Sequence, residues 1–85
     1  MPGETQIKLE IANKVGAYLP YWRIGITADP DSRRQEHGNP TLWHYWNAES
    51  EDSARNIEKY FLDKGMKGDT RGESTPYYVY IFLEE

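Results

Sequence analysis

Ile7, Ile11 and Val15 recur every four residues, with Tyr18 three further on, among mostly polar positions. That is the spacing of one face of a helix. Ile7, Leu9 and Ile11 also alternate as strand residues do, so residues 5–18 admit both readings. The longer pattern favours a helix, ended by Leu19-Pro20 because the residue before a proline avoids helical geometry. Tyr21 to Thr27 reads as a strand with Gly25 inside it, and a glycine there marks a bulge or the close approach of another group. Asp29-Pro30 is a helix start, with Asp as N-cap and Pro at the first helical position, and Gly38-Asn39-Pro40 closes that short helix. Thr41 to Ala48 is aromatic-rich and strand-like. Ser50 caps a third helix, with Glu51 and Asp52 at its positive end and Ala54, Ile57, Phe61 and Leu62 as its apolar stripe. Gly65 or Gly68 ends it. Residues 66–76 are polar without periodicity and read as a long loop. Tyr77 to Leu83 is the last strand.

The order α-β-α-β-α-β predicts an α+β fold, a small three-stranded antiparallel sheet flanked by helices. Eighty-five residues suit one domain, residues 1–85, with a modest core. There is no cysteine, so disulfides and thiolate metal sites are excluded. Met1-Pro2-Gly3-Glu4 lacks the basic stretch and apolar run of a signal peptide, and no apolar run would span a bilayer. A cytoplasmic protein without membrane attachment is expected. The net charge of -4 counts against a dedicated nucleic-acid module, which is usually basic throughout. The charge is segregated, however. Arg23, Arg33, Arg34 and His37 lie close in sequence, Lys64, Lys67 and Arg71 form a second basic group, and the acids crowd at Glu49, Glu51, Asp52 and the final Glu84-Glu85.

Arg33 and His37, four apart on one helix face, set a fixed cation beside a titratable imidazole. That combination suits phosphodiester chemistry. Each residue also has a plainer role: Arg33 can pair with Asp29 or Glu36, and His37 can cap the helix C-terminus. Glu58 can be an exposed helix residue, Lys67 to Arg71 a solvated loop, and His44 a strand residue without chemistry.

The pattern Gly25-Ile26-Thr27-x-Asp29-x-x-x-Arg33-x-x-x-His37, followed by Ala54-x-x-Ile57-Glu58-x-x-Phe61, resembles the core of GIY-YIG nucleases over roughly residues 22–62. In that family a strand ending Tyr-x-Gly leads into a helix with an essential Arg, often followed by His, and a later helix supplies a metal-binding Glu. The resemblance implies that Glu58, with waters and phosphate oxygens, holds one Mg2+ or Mn2+ that stabilises the leaving oxyanion. It implies that Arg33 grips the scissile phosphate and that His37 or a tyrosine helps deprotonate the attacking water. Arg23, Arg34, Lys67 and Arg71 are the candidate nucleic-acid contacts. The signature is degenerate: Arg23 stands where the family places a tyrosine, and no Gly-Ile-Tyr strand lies upstream. Tyr78-Val79-Tyr80 is similar to that missing strand. A circular permutation would then pair residues 77–83 antiparallel with residues 21–27 and point Tyr80 toward Arg33. Two functions are expected: a relative without chemistry that binds nucleic acid or a protein partner, or alternatively a divalent-metal-dependent endonuclease acting on DNA or RNA.

Overall fold

The computed structural model describes residues 3–68 and 77–83. Helix α1 spans Glu4–Val15. Ile7, Ile11 and Val15 are buried on it, whereas Leu9 is 57% exposed, so the four-residue period decides between the two readings of this segment. The helix ends at Gly16 (φ 54°), earlier than Leu19-Pro20. Glycine adopts that left-handed geometry without Cβ strain, and it stops the helix before proline can. Leu19–Tyr21 instead forms a single 3-10 turn, with Pro20 in its first turn.

Strand β1 (Trp22–Thr27) leads into helix α2 (Pro30–Glu36). Strand β2 (Trp43–Asn47), helix α3 (Glu51–Asp63), a two-residue strand β3 (Lys67–Gly68) and strand β4 (Tyr78–Leu83) follow. The four strands form one mixed sheet in the order β2-β4-β1-β3. β4 runs antiparallel to both β2 and β1, and β3 runs parallel to β1. The expected sheet of three antiparallel strands is therefore corrected to four strands, one of them parallel. β3 falls within the segment read as loop, because a two-residue strand is too short to display a period of two. The rest of that segment, residues 69–76 with Arg71, lies outside the described residues.

The register sorts the side chains onto two faces. Trp22, Ile24 and Ile26 of β1 share one face with Leu83, Ile81 and Val79 of β4 and with His44 and Trp46 of β2. This face meets α1 and α3: Ile7, Ile11, Val15, Ala54, Ile57, Phe61 and Met66 join Ile24, Ile26, Val79, Ile81 and Trp46 in one buried cluster. Asn56 Nδ2 donates to Glu4 Oε1 at 3.4 Å and ties the two helices at their rim. Arg23, Gly25 and Thr27, with Phe82, Tyr80 and Tyr78, occupy the other face, together with Trp43 and Tyr45. Helix α2 covers that face, bringing His37 against Phe82 with ring centroids 4.6 Å apart. Among the described residues, no helix is long and apolar enough to cross a membrane.

His44 sits on the core face of β2, stacked on Trp22 at 6.4 Å and tilted toward Trp46 at 6.4 Å. Burial there pushes its imidazole below the ordinary value of 6.5, and the nearby Lys14 ammonium adds to the effect. The unfolded chain therefore takes up this proton before the folded one does. Between pH 6.5 and the lower folded value, stability falls as pH falls, and below both values the loss is complete. Urea unfolding across pH 7.5 to 5 is expected to show this component in the wild-type chain and to lack it in His44→Phe. Identical pH dependence in the two chains would contradict the assignment.

Candidate functional site

The α2 face of the sheet is built by three local devices. The first is the turn from β1 into α2. Thr27 is buried, and its Oγ1 accepts from Asp29 N at 3.0 Å. Asp29 then caps the helix, its carboxylate accepting from Ser32 N at 3.2 Å and from Ser32 Oγ at 2.9 Å. These bonds hold the Asp29 carboxyl below its ordinary value, the backbone bond from Ser32 most of all. The second device is the helix exit. Gly38 N donates to Gln35 O at 3.0 Å and Asn39 N to Arg34 O at 2.9 Å, with positive φ at both Gly38 (78°) and Asn39 (55°). This is the paired closure that a glycine after a helix permits. Arg34 reinforces it: Nε and Nη2 both donate to Pro40 O, at 3.3 and 3.1 Å.

The third device is a close approach between strands. Gly25 lies opposite Tyr80 in the β1–β4 register. The Tyr80 ring leans across it, so that a Cβ on Gly25 would sit 2.5 Å from Tyr80 Cζ and against the phenol oxygen. The glycine inside the strand is thus explained by the close approach that its position predicts. Trp43 stacks on Tyr80 at 4.7 Å with ring planes 16° apart, and Phe82 stacks on Trp43 at 5.6 Å. His37 reaches the same group, 6.2 Å from Tyr80. Tyr80 is fully buried.

Beside this group, sharing His37 and Phe82 with it, lies a cavity of about 400 Å3 lined by Arg23, His37, Gly38, Asn39, Pro40, Phe82 and Leu83. Arg23 enters it from β1 and also donates from Nη1 to Gly68 O at 3.3 Å. Lys67 is opposite Arg23 in the parallel β1–β3 register, so the two basic residues share one face of the sheet. The cavity therefore brings together the Arg23 guanidinium, the His37 imidazole, the Phe82 ring and the backbone of the helix exit. A lysine stands beside it on the next strand.

The residues singled out in the sequence take the following places. Arg23 and His37 meet at the cavity, and Lys67 stands next to Arg23. Tyr80 lies on the same face as α2, against His37. Arg33 is buried on α2, 5% exposed, with Nη1 3.4 Å from Glu36 Oε2. Arg34 holds Pro40, as above. Glu58 is buried on α3, 8% exposed, in the layer that packs on the opposite face of the sheet. Neither Arg33 nor Glu58 lines the cavity. Sequence reading missed Trp43 and Phe82 as parts of this wall. Their signal is the alternation that puts Trp43, Tyr80 and Phe82 on one face once the strands are paired.

One carboxylate with waters and phosphate oxygens is a donor set that Mg2+ accepts; Glu58 supplies a single carboxylate, enclosed and outside the cavity. Among the described residues, no group of three or more His, Cys, Asp or Glu is placed to hold a metal ion. Comparison with family models, with curated proteins and with solved structures finds no significant match.

Gly25→Ala forces the Cβ into a ring held on its other side by Trp43. The expected loss is about 1–3 kcal/mol in urea unfolding, the usual cost of overpacking. In a Tyr80→Leu background the same substitution should cost less than about 0.5 kcal/mol, because the clash has gone. Equal cost in both backgrounds would contradict the contact.

Proposed function

We propose that this domain is a GIY-YIG-like binding module that grips the phosphodiester backbone of nucleic acid on the α2 face of its sheet. The antiparallel register that sets Tyr80 opposite Gly25 carries this reading. It is the pairing that a circularly permuted relative of the family requires, with the tyrosine strand supplied from the far end of the chain. Arg23 and His37 in the adjoining cavity supply the charge and the hydrogen-bond donors for phosphate. A net charge of -4 keeps the attraction local to this patch, so modest affinity and a shallow salt dependence are expected.

A second reading, metal-dependent hydrolysis, is favoured by one observation. Arg33 and Glu58, the two charged positions matched to the family's essential residues, are both enclosed, although most such side chains on a small domain are solvated. In that reading a Mg2+ or Mn2+ held by Glu58 would supply Lewis-acid stabilisation of the leaving oxygen. Arg33 for the phosphate, and Tyr80 or His37 for the water, would have to act on the α2 face, whereas α3 with Glu58 packs on the other face of the sheet, which counts against this reading.

Two measurements separate the readings. In fluorescence anisotropy with labelled DNA and RNA, the wild-type chain should bind, and Arg23→Gln should bind more weakly with a salt slope reduced by about 0.7 to 0.9. Plasmid nicking with Mg2+ or Mn2+, if hydrolysis operates, should fall about 100-fold or more in Arg33→Ala and Glu58→Gln. Binding without nicking supports the module alone. A folded wild-type chain that binds neither DNA nor RNA overturns both readings.

A further inference from the structure

Strand β2 is an outer strand of the sheet, paired with β4 alone. Which of its backbone groups face β4 is fixed at both ends. Leu83 N donates to Leu42 O at 3.1 Å, and Ala48 N donates to Tyr77 O at 2.7 Å. Residues that exchange bonds alternate along an antiparallel ladder, so the even-numbered positions from Leu42 to Ala48 turn their N–H and C=O toward β4. Trp43, Tyr45 and Asn47 aim theirs out of the sheet, where no further strand stands among the described residues. We propose that this edge pairs with the same edge of a second copy of the chain, β2 against β2, joining two sheets into one.

Sheet edges are normally blunted by charge, by proline or by a covering element. Thr41 to Asn47 holds no Asp, Glu, Lys, Arg or Pro. Its one residue that titrates near neutrality, His44, faces the core, where burial lowers its pKa and keeps the ring uncharged at pH 7. Tyr45, at the middle of the strand, is 50% exposed, and Leu42 at its entrance is 45% exposed. The edge is therefore aromatic, uncharged and open to a further strand.

Symmetry and charge select the occupant. The outward residues are spaced evenly about Tyr45. An antiparallel copy centred there sets Tyr45 against the partner's Tyr45, Trp43 against the partner's Asn47, and Asn47 against the partner's Trp43. Every outward-facing residue then meets another, and each pair exchanges both of its bonds. A two-fold contact brings like beside like at its centre, which is unfavourable for a charged strand and not for this one. The nearest acid, Glu49, falls level with the partner's Thr41 and not with its own counterpart. The net charge of -4 is thus kept away from the contact. A charged peptide would leave its charges unmet along this edge, whereas a second copy brings a neutral strand in matching register. The two-fold axis stands perpendicular to the sheet, so both α2 faces lie on one side of the joined sheet.

The test is sedimentation velocity of the full chain from about 10 µM to 1 mM, with amide hydrogen exchange at both ends of that range. The wild-type chain should pass reversibly from monomer to dimer. Exchange at Trp43, Tyr45 and Asn47 should slow by about 10-fold or more in the concentrated sample, while His44 and Trp46 stay unchanged. Tyr45 is exposed, so changing it leaves the core intact. Tyr45→Lys sets two ammonium groups face to face and should weaken dimerisation by about 10-fold or more. Tyr45→Pro removes only an outward N–H, a position where an edge strand accepts proline, and should weaken dimerisation with the β4 pairing kept. Tyr45→Phe should dimerise as the wild type does. A folded wild-type chain that stays monomeric throughout overturns the proposal, also where it takes up a foreign extended peptide along β2. Dimerisation that survives both Tyr45→Lys and Tyr45→Pro, or protection that spares the amides of Trp43, Tyr45 and Asn47, overturns it as well.

Discussion

The pairing of β1 with β4 is the constraint on which the rest of the molecule depends. It joins an early strand to the last one across six paired positions, Trp22↔Leu83 to Thr27↔Tyr78. Shifting it by one residue would send either Ile24 and Ile26 or Val79 and Ile81 to the wrong side of the sheet. The same register brings Tyr80 over Gly25, the point at which a missing side chain admits a large one. One pairing thus fixes the apolar core on one face and the aromatic wall on the other.

The two faces do different physical work. On the α1 and α3 side, burial of aliphatic side chains supplies stability without direction. On the α2 side the contacts are directional: stacked rings, a side-chain cap at Asp29, and a helix exit closed by Gly38, Asn39 and Arg34. Aromatic pairs of this kind contribute about 0.5–1.5 kcal/mol beyond their area and prefer particular geometries. That preference holds His37 and the wall around Arg23 in fixed relation. A cavity with a preset arrangement of Arg23 and His37 is the result.

Much of this was legible in the chain. The Asp29-Pro30 start, the Ser50 cap and the aliphatic spacing of Ile7, Ile11 and Val15 each carry a local signal, and each element formed where its signal lies. Gly25 announced a bulge or a close approach, and nothing local chose between them or named Tyr80 as the partner. What stayed hidden depends on pairing between distant segments. β3 has too few residues to show a pattern, and its alignment with Arg23 exists only through the parallel register. Trp43 and Phe82 read as ordinary strand residues until alternation across three paired strands sets them beside Tyr80. The enclosure of Glu58 was equally invisible, because it follows from how α3 lies on the sheet and not from the helix's own sequence.

Backbone amide shifts of isotope-labelled protein titrated with a short single-stranded oligonucleotide test the central claim most directly. The account predicts saturable shifts concentrated at Arg23, His37, Gly38, Asn39, Phe82 and Leu83, with the exposed flank of α3 unmoved. Saturable binding whose shifts fall on α3 and spare these residues, or no shifts at all from a folded sample, would contradict it.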